Sequence, residues 1–70
     1  MYEYFKENLS NEETGSYISY GIRTVDGKHS ISDVSTNETV ATEIVRKLNK
    51  GNVSPIHMKD VIEDELYQYE

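Results

Sequence analysis

Three residues near the C-terminal end have the types and the spacing of metal ligands. His57, Asp60 and Asp64 follow one another at i, i+3 and i+7, so on a helix they would project from one side. An imidazole and two carboxylates can bind a divalent cation, and the pattern therefore defines a candidate metal or ligand-sensing site. His29 and Asp33 are candidates to complete its coordination shell. The alternative, which we favour, is a solvated acidic helix face that binds nothing.

The rest of the chain contains none of the common catalytic patterns. It has no cysteine, which excludes a thiol nucleophile, a disulfide and a zinc–thiolate site. It has no glycine-rich phosphate loop and no Gly-x-Ser-x-Gly turn. A chain of 70 residues also has little room for a substrate pocket, which usually takes about 300 Å³ or more. We expect a protein that is not an enzyme and that uses no cofactor.

The charge balance limits the partners. Seven basic residues against thirteen acidic ones give a formal net charge of −6, which repels nucleic acids and anionic membranes. No apolar run approaches the roughly 20 residues of a membrane-spanning helix. The segment Met1–Lys6 lacks the basic-then-apolar order of a signal peptide, so we expect a cytoplasmic protein. Charge alone also leaves open an acidic mimic of nucleic acid, which would need its carboxylates on one side.

The candidate residues must be positioned by a β-hairpin between Ser16 and Val34. Large apolar and polar residues alternate in Tyr17–Val25, Asp26-Gly27 favours a two-residue type I′ turn, and Lys28–Val34 returns antiparallel. This turn fixes the register and therefore the two faces of the ribbon. The face predicted to be buried carries Ile18, Tyr20, Ile22 and Ile31. The opposite face carries Tyr17, Ser19, Gly21, Arg23, Ser30 and Ser32, and it should be flat at its glycine.

The same register places Asp33 opposite Tyr20 on the buried face. We expect its carboxylate to accept a hydrogen bond from the Tyr20 hydroxyl or from amides at the start of the first helix, and we favour this structural role over the alternative, a catalytic carboxylate. Tyr2–Leu9 is predicted to be a further strand, joined to the hairpin through the polar segment Asn8–Gly15. The three strands would then form an antiparallel meander.

Two helices are predicted after the sheet. Ser35-Thr36-Asn37-Glu38 has the pattern of a capping box, and Gly51 suits the left-handed residue after a helix end. Ser54 and Pro55 suit the N-cap and the first residue of the second helix. The first apolar stripe consists of Val40, Ala41, Ile44, Val45 and Leu48. The second consists of Met58, Val61, Ile62, Leu66 and Tyr69. Glu65 falls within the arc of the second stripe, and Glu43 and Lys47 are spaced for an ion pair along the first helix.

These elements predict one α+β domain over residues 1–70, with the order β-β-β-α-α. We expect a two-layer fold in which two antiparallel helices cover one face of a three-stranded antiparallel meander. The other face, with Tyr17, Ser19, Gly21, Arg23, Ser30 and Ser32, would be open to a partner. Strands one and three would also offer unpaired backbone groups at their edges.

Three segments carry a resemblance to a known group of proteins. They are Tyr20-Gly21-Ile22, Ile31–Thr36 (ISDVST) and Ser54–Asp64 (SPIHMKDVIED). With them the chain resembles, from about Tyr17 to Leu66, a family of short Firmicutes proteins, clostridial above all, that has no assigned activity. The resemblance implies a bacterial cytoplasmic origin and no particular function.

The leading functional hypothesis is a small non-catalytic protein-interaction or regulatory protein. A protein partner or self-association as a homodimer would suit a chain with so small a core. The alternative is the divalent-metal or ligand-sensing domain that would use His57, Asp60 and Asp64.

Overall fold

The fold has three strands followed by two helices, and the computed structural model describes residues 1–69 of it. The elements are β1 (Tyr2–Asn11), β2 (Gly15–Thr24), β3 (Ser30–Ser35), α1 (Glu38–Lys50), a 3₁₀ turn (Pro55–His57) and α2 (Met58–Tyr67). The strands form one antiparallel sheet in the order β1-β2-β3, so the predicted α+β class is confirmed. Within the described residues, neither helix has both the length and the apolar character needed to cross a bilayer.

The first hairpin has longer strands and a shorter loop than the sequence predicted. Only three residues, Glu12–Thr14, connect β1 to β2, and Gly15 has a left-handed φ of 76°. The side-chain oxygen of Asn11 accepts hydrogen bonds from the N–H groups of Glu13 (2.7 Å) and Thr14 (3.1 Å). A three-residue loop followed by a left-handed glycine is a common hairpin connection, and it fixes the pairing of β1 with β2.

The second hairpin keeps the predicted register from Thr24–His29 to Ile22–Ile31, but neither the predicted turn nor the predicted pairing of Tyr20 with Asp33. Thr24 and His29 close a four-residue loop, with the Thr24 N–H donating to the His29 carbonyl at 2.9 Å. A type I′ turn needs positive φ at both central residues, and only Gly27 has it here, so this prediction is wrong. A two-residue and a four-residue loop centred on the same point leave the pairing of the strands unchanged, so Ile22 still pairs with Ile31.

The core lies between the sheet and the helices. Ile22, Ile44, Leu48 and Ile62 are almost fully buried, and they belong to one cluster with Tyr2, Val34 and Met58. Helix α1 contacts all three strands, whereas α2 packs mainly on α1 and the 3₁₀ turn. The predicted stripe of α1 is therefore confirmed, and both helices contribute to the core on the same side of the sheet as Ile22.

The ends of α1 differ from the predicted caps. The N-cap is Asn37, whose side chain accepts from the Thr39 N–H at 2.9 Å, because Ser35 is still paired with Tyr20 in the sheet. At the other end Gly51 stays right-handed, and Asn52 takes the left-handed conformation instead (φ 49°). The Val53 N–H donates to the Leu48 carbonyl at 3.1 Å, as in a Schellman motif with Asn52 at the left-handed position. The start of the next helix at Pro55 is confirmed, although its first turn is 3₁₀.

An ion pair between the helices accounts for the carboxylate within the second apolar stripe. Lys47 Nζ lies 2.7 Å from Glu65 Oε2, and the side chain of Glu65 is only 16% exposed. Glu43 pairs with Arg46 instead (2.8 Å), so the predicted pair of Glu43 with Lys47 is wrong. Lys47 therefore pairs across to α2, where Glu65 lies beside the core and has no other ion pair among residues 1–69.

Candidate functional site

The six residues predicted to bind a partner lie on the side of the sheet opposite the helices, called here the far face. Residues directly opposite each other on antiparallel strands share a face, and the register places the odd-numbered residues of β2 on this side. The structure therefore brings together Tyr17, Ser19, Gly21, Arg23, Ser30 and Ser32 as predicted. Whether they bind a partner stays a prediction.

Phe5 covers the centre of the far face. It pairs with Gly21 across β1 and β2, and its ring lies directly over the glycine. The Arg23 guanidinium lies 5.1 Å from the centroid of this ring, and its Nε donates to Glu3 at 2.6 Å. The expected flat surface at Gly21 is thus wrong, because the pairing of β1 with β2 brings the Phe5 ring over the glycine.

A bulge in β3 moves Asp33 to the far face. Ser35, not Asp33, pairs with Tyr20, so three residues of β3 lie opposite Gly21 alone. Asp33 has a left-handed φ of 54°, which is uncommon for a residue other than glycine. Glu7 of β1 stabilises this conformation, since its carboxylate accepts from the Asp33 N–H (2.9 Å) and the Ser32 hydroxyl (2.7 Å). The predicted place of Asp33 on the buried face is therefore wrong.

The Asp33 carboxylate is occupied by hydroxyl groups of β2. It accepts from Ser19 Oγ at 2.6 Å and from the Tyr17 hydroxyl at 3.1 Å. The hydrogen bond to Asp33 raises the pKa of Tyr17 above its usual value, and partial burial and the negative charge of Glu7 act in the same direction. Ser19 is fully buried. The polar groups of the far face are thus largely satisfied by one another, which leaves them little capacity for a new partner.

The outer edge of β1 has free backbone groups. The Val25 N–H donates to the Met1 carbonyl at 2.9 Å, so Met1 is directed towards β2. In an antiparallel ladder this direction alternates, and the N–H and C=O groups of every second residue point away from the neighbouring strand. The outward-pointing residues of β1 are Tyr2, Tyr4, Lys6, Asn8 and Ser10.

The side chain of Asn49 binds the backbone of Tyr2, the first of these outward-pointing residues. Its side-chain oxygen accepts from the Tyr2 N–H at 2.7 Å, and its side-chain nitrogen donates to the Tyr2 carbonyl at 3.1 Å. The amide thus takes the place of a neighbouring strand at this one position. Along the rest of the edge, from Tyr4 to Ser10, the described part of the chain supplies no backbone partner.

Apolar side chains lie beside this free edge. The β1–β2 hairpin extends past the end of β3, and Ile18 on its helix-facing side is 42% exposed. Tyr4 is 37% exposed and contacts Tyr20 edge-to-face, with the ring centroids 5.9 Å apart. The Tyr4 hydroxyl donates to Glu38 at the start of α1 (3.2 Å). Free backbone groups and exposed apolar side chains therefore occur together on this hairpin. The free stretch Tyr4–Ser10 is called here the β1 edge. The side chains beside it, those of Tyr4, Ile18 and Tyr20, are called its flank.

The proposed metal ligands are not brought together. His57 belongs to the 3₁₀ turn and Asp60 and Asp64 to α2, so the spacing expected of one continuous α-helix does not hold. All three side chains are exposed, and residues 1–69 contain no group of three or more His, Asp or Glu side chains arranged to hold a metal ion. His29 and Asp33 do not complete the set, because Asp33 lies in the far-face network.

Fold and surface together define a small two-layer α+β protein with an exposed strand edge. A model of a family of unknown function, DUF6514, matches residues 1–68, and the chain belongs to this family. No curated protein and no solved structure matches the chain. The family assignment agrees with the expected resemblance to a family without assigned activity, while the Firmicutes origin stays an expectation.

Proposed function

We propose that the protein is a small non-catalytic interaction module of the bacterial cytoplasm that binds an extended segment of another protein along the β1 edge. The observation that carries this proposal is the run of outward-pointing backbone groups at Tyr4, Lys6, Asn8 and Ser10, flanked by exposed apolar side chains. A strand added to such an edge gains main-chain hydrogen bonds, and pockets beside alternate side chains give specificity. Proteins usually protect long free edges; here Lys6 is the one charged side chain among the four outward-pointing residues, and no strand of the described chain pairs with them, which suggests use.

Charge favours a different protein over a second copy. In a two-fold antiparallel pair of β1 edges, each side chain lies beside one from the other copy on the same face. A pair centred on Phe5 places Glu3 opposite Glu7, and pairs centred on Lys6 or Glu7 place like charges opposite each other. Each copy also carries a net charge of −6. A neutral or basic segment avoids this repulsion. Pairs centred on Asn8 or Leu9 lack the clash, and self-association is therefore an explicit outcome of the test.

Two substitutions at Asn8 separate the backbone from the side chain. Asn8→Ala removes the exposed side chain and keeps the N–H, whereas Asn8→Pro removes the N–H and places a ring on the edge. Proline is tolerated on an edge strand where the N–H points to solvent, so both variants should fold. We expect Asn8→Ala to bind like the wild type and Asn8→Pro to bind at least about tenfold more weakly, the effect of losing about 1.4 kcal/mol.

The partner is found by photo-crosslinking from position 6 of the full chain in an extract of the source organism, and its affinity is then measured with the purified proteins. Equal binding by the two Asn8 variants would rule out the β1 edge. Sedimentation equilibrium of the chain alone tests the homodimer. A dimer that Asn8→Pro dissociates and Asn8→Ala does not would assign the edge to a second copy instead of another protein.

A further inference from the structure

A cleft separates the β2–β3 loop from the start of α2. Its volume is about 310 Å³, at the lower end of the range for small-molecule sites and larger than the sequence led us to expect. Its polar lining consists of Lys28, His29 and Ser30 on one side and Lys59 of α2 on the other. Ile31, Pro55 and Met58 supply the apolar lining. These seven residues are called here the basic cleft.

The basic cleft concentrates positive charge on an acidic protein. Three of the seven Lys and Arg residues, Arg23, Arg46 and Lys47, form ion pairs within the chain. Lys28 and Lys59 have no such partner among residues 1–69, and both line the cleft. No carboxylate belongs to its described lining. An anion entering the cleft therefore meets two ammonium groups that form no ion pair among the described residues. The Asp26 carboxylate interacts electrostatically with Lys28, but it does not belong to the described lining of the cleft.

The loop that carries Lys28 and His29 is held in place by its own hydrogen bonds. The His29 N–H donates to Thr24 Oγ1 at 3.2 Å, and the His29 carbonyl accepts from the Thr24 N–H at 2.9 Å. Asp26 Oδ1 accepts from the Thr24 hydroxyl (2.6 Å) and the Lys28 N–H (3.0 Å). Asp26 is thereby turned into the loop. The backbone of this wall of the cleft is therefore preformed, which lowers the entropic cost of binding.

We propose that the basic cleft binds a phosphorylated small molecule with an apolar body. Lys28 and Lys59 provide charge, and the Ser30 hydroxyl and the His29 imidazole can donate hydrogen bonds to phosphate oxygens. Ile31 and Pro55 contact the body of the ligand, and Met58, which is almost fully buried, adds little surface. This proposal does not rest on the β1 edge, because the cleft lies at the opposite end of β2 from the free hairpin tip.

The test is a titration of the ¹⁵N-labelled full chain with AMP, adenosine and inorganic phosphate, followed by amide chemical shifts. We expect AMP to shift the amides of residues 28–31 and 58–59, and to bind more tightly than either adenosine or phosphate alone. Added NaCl should weaken the binding, because exposed charges are screened. No response to AMP up to about 10 mM would overturn the proposal. An equal response to adenosine would also overturn it, since the phosphate would then contribute nothing.

Three charge-removing variants of the same kind provide the control. Lys28→Gln and Lys59→Gln should each weaken AMP binding about tenfold, the change expected on losing one charge-assisted hydrogen bond. Lys50→Gln removes the same charge from the end of α1, outside the cleft, and should change the affinity less than about twofold. Equal effects of all three variants would show a response to net charge only and would refute the site.

Discussion

Replacing Gly21 by alanine is predicted to destabilise the protein, although alanine ordinarily suits a strand better than glycine does. A Cβ atom at this position would overlap the Phe5 ring, with Cε1 at 2.8 Å, and would lie 2.7 Å from the backbone oxygen of Ile31. The ring is the end of a side chain and can rotate away. The Ile31 carbonyl is part of β3, beside the bulge that Glu7 holds, and it has no comparable freedom.

The expected size of the effect follows from these two contacts. Overpacking of this kind costs about 1–3 kcal/mol. Where no clash occurs, replacing glycine by alanine in a strand stabilises by roughly 0.5–1 kcal/mol, so the sign of the change decides between the two cases. For a domain of this size each kcal/mol shifts Tm by about 4–8 °C. Gly21→Ala should therefore lower Tm by roughly 5–20 °C.

The assay is thermal and urea unfolding followed by far-ultraviolet circular dichroism, for Gly21→Ala, Phe5→Ala and the double variant. In the Phe5→Ala background the cost of Gly21→Ala should be smaller, because the ring is gone. It should not vanish, because the Ile31 carbonyl remains. An unchanged or raised Tm for Gly21→Ala alone would refute the placement of Phe5 and the bulge on the far face.

Other perturbations test the remaining contacts. Asn49→Ala should lower the free energy of unfolding by about 1–2 kcal/mol in urea denaturation, since it removes both hydrogen bonds to Tyr2; no change would mean that these bonds are not formed in solution. Asp33→Asn should return the raised pKa of Tyr17 towards 10.0, as followed by NMR of the ring carbons, and an unchanged pKa would contradict the far-face network. In the wild type the stabilisation linked to Tyr17 is present below pH 10.0 and is lost as the pH rises through the raised pKa. The hydrogen bonds from Thr24 and Lys28 lower the pKa of Asp26 below 3.8. The stabilisation of the fold linked to Asp26 is therefore present above pH 3.8 and is lost as the pH falls through the lowered pKa. If Asp26→Asn unfolded in acid at the same pH as the wild type, this account of Asp26 would be contradicted.

The alternation of apolar residues was enough to predict that Ile22 is buried on the helix side of the sheet, whereas Ile18, predicted on the same buried face, is 42% exposed because the hairpin extends past β3. Ile22 and Ile31 pair as expected even though the turn differs, because a two-residue and a four-residue loop can share one register. The order of elements and the stripe of α1 also follow from local patterns. Burial of one face determines all of these features, and sequence periodicity reports burial directly.

The features that the sequence did not reveal depend on residues far apart in the chain. The bulge at Asp33 needs Glu7, which comes from another strand. Ser35 and Asn37 are both good N-cap residues, and only the pairing of Ser35 in the sheet decides between them. The partner of Lys47 could not be chosen from spacing on one helix, because Glu65 approaches from α2.

The candidate surfaces were predictable in part. The far-face residues follow from alternation alone, and the free edge of a first strand follows from the order of the elements. Which residues of β1 point outwards depends on the three-residue loop between Asn11 and Gly15, and the polar segment Asn8–Gly15 predicts a longer connection. The basic cleft was not predicted, since the β2–β3 loop and the start of α2 meet only in the folded chain.

Amide hydrogen exchange along β1 tests the central claim most directly. The account predicts alternation in the free chain: the N–H groups of Lys6 and Asn8 exchange rapidly, whereas those of Phe5, Glu7 and Leu9 are protected by β2. Addition of the crosslinked partner, once purified, should protect Lys6 and Asn8 as well. Uniform protection in the free chain, or no gain of protection at these two residues in the complex, would contradict binding at the β1 edge.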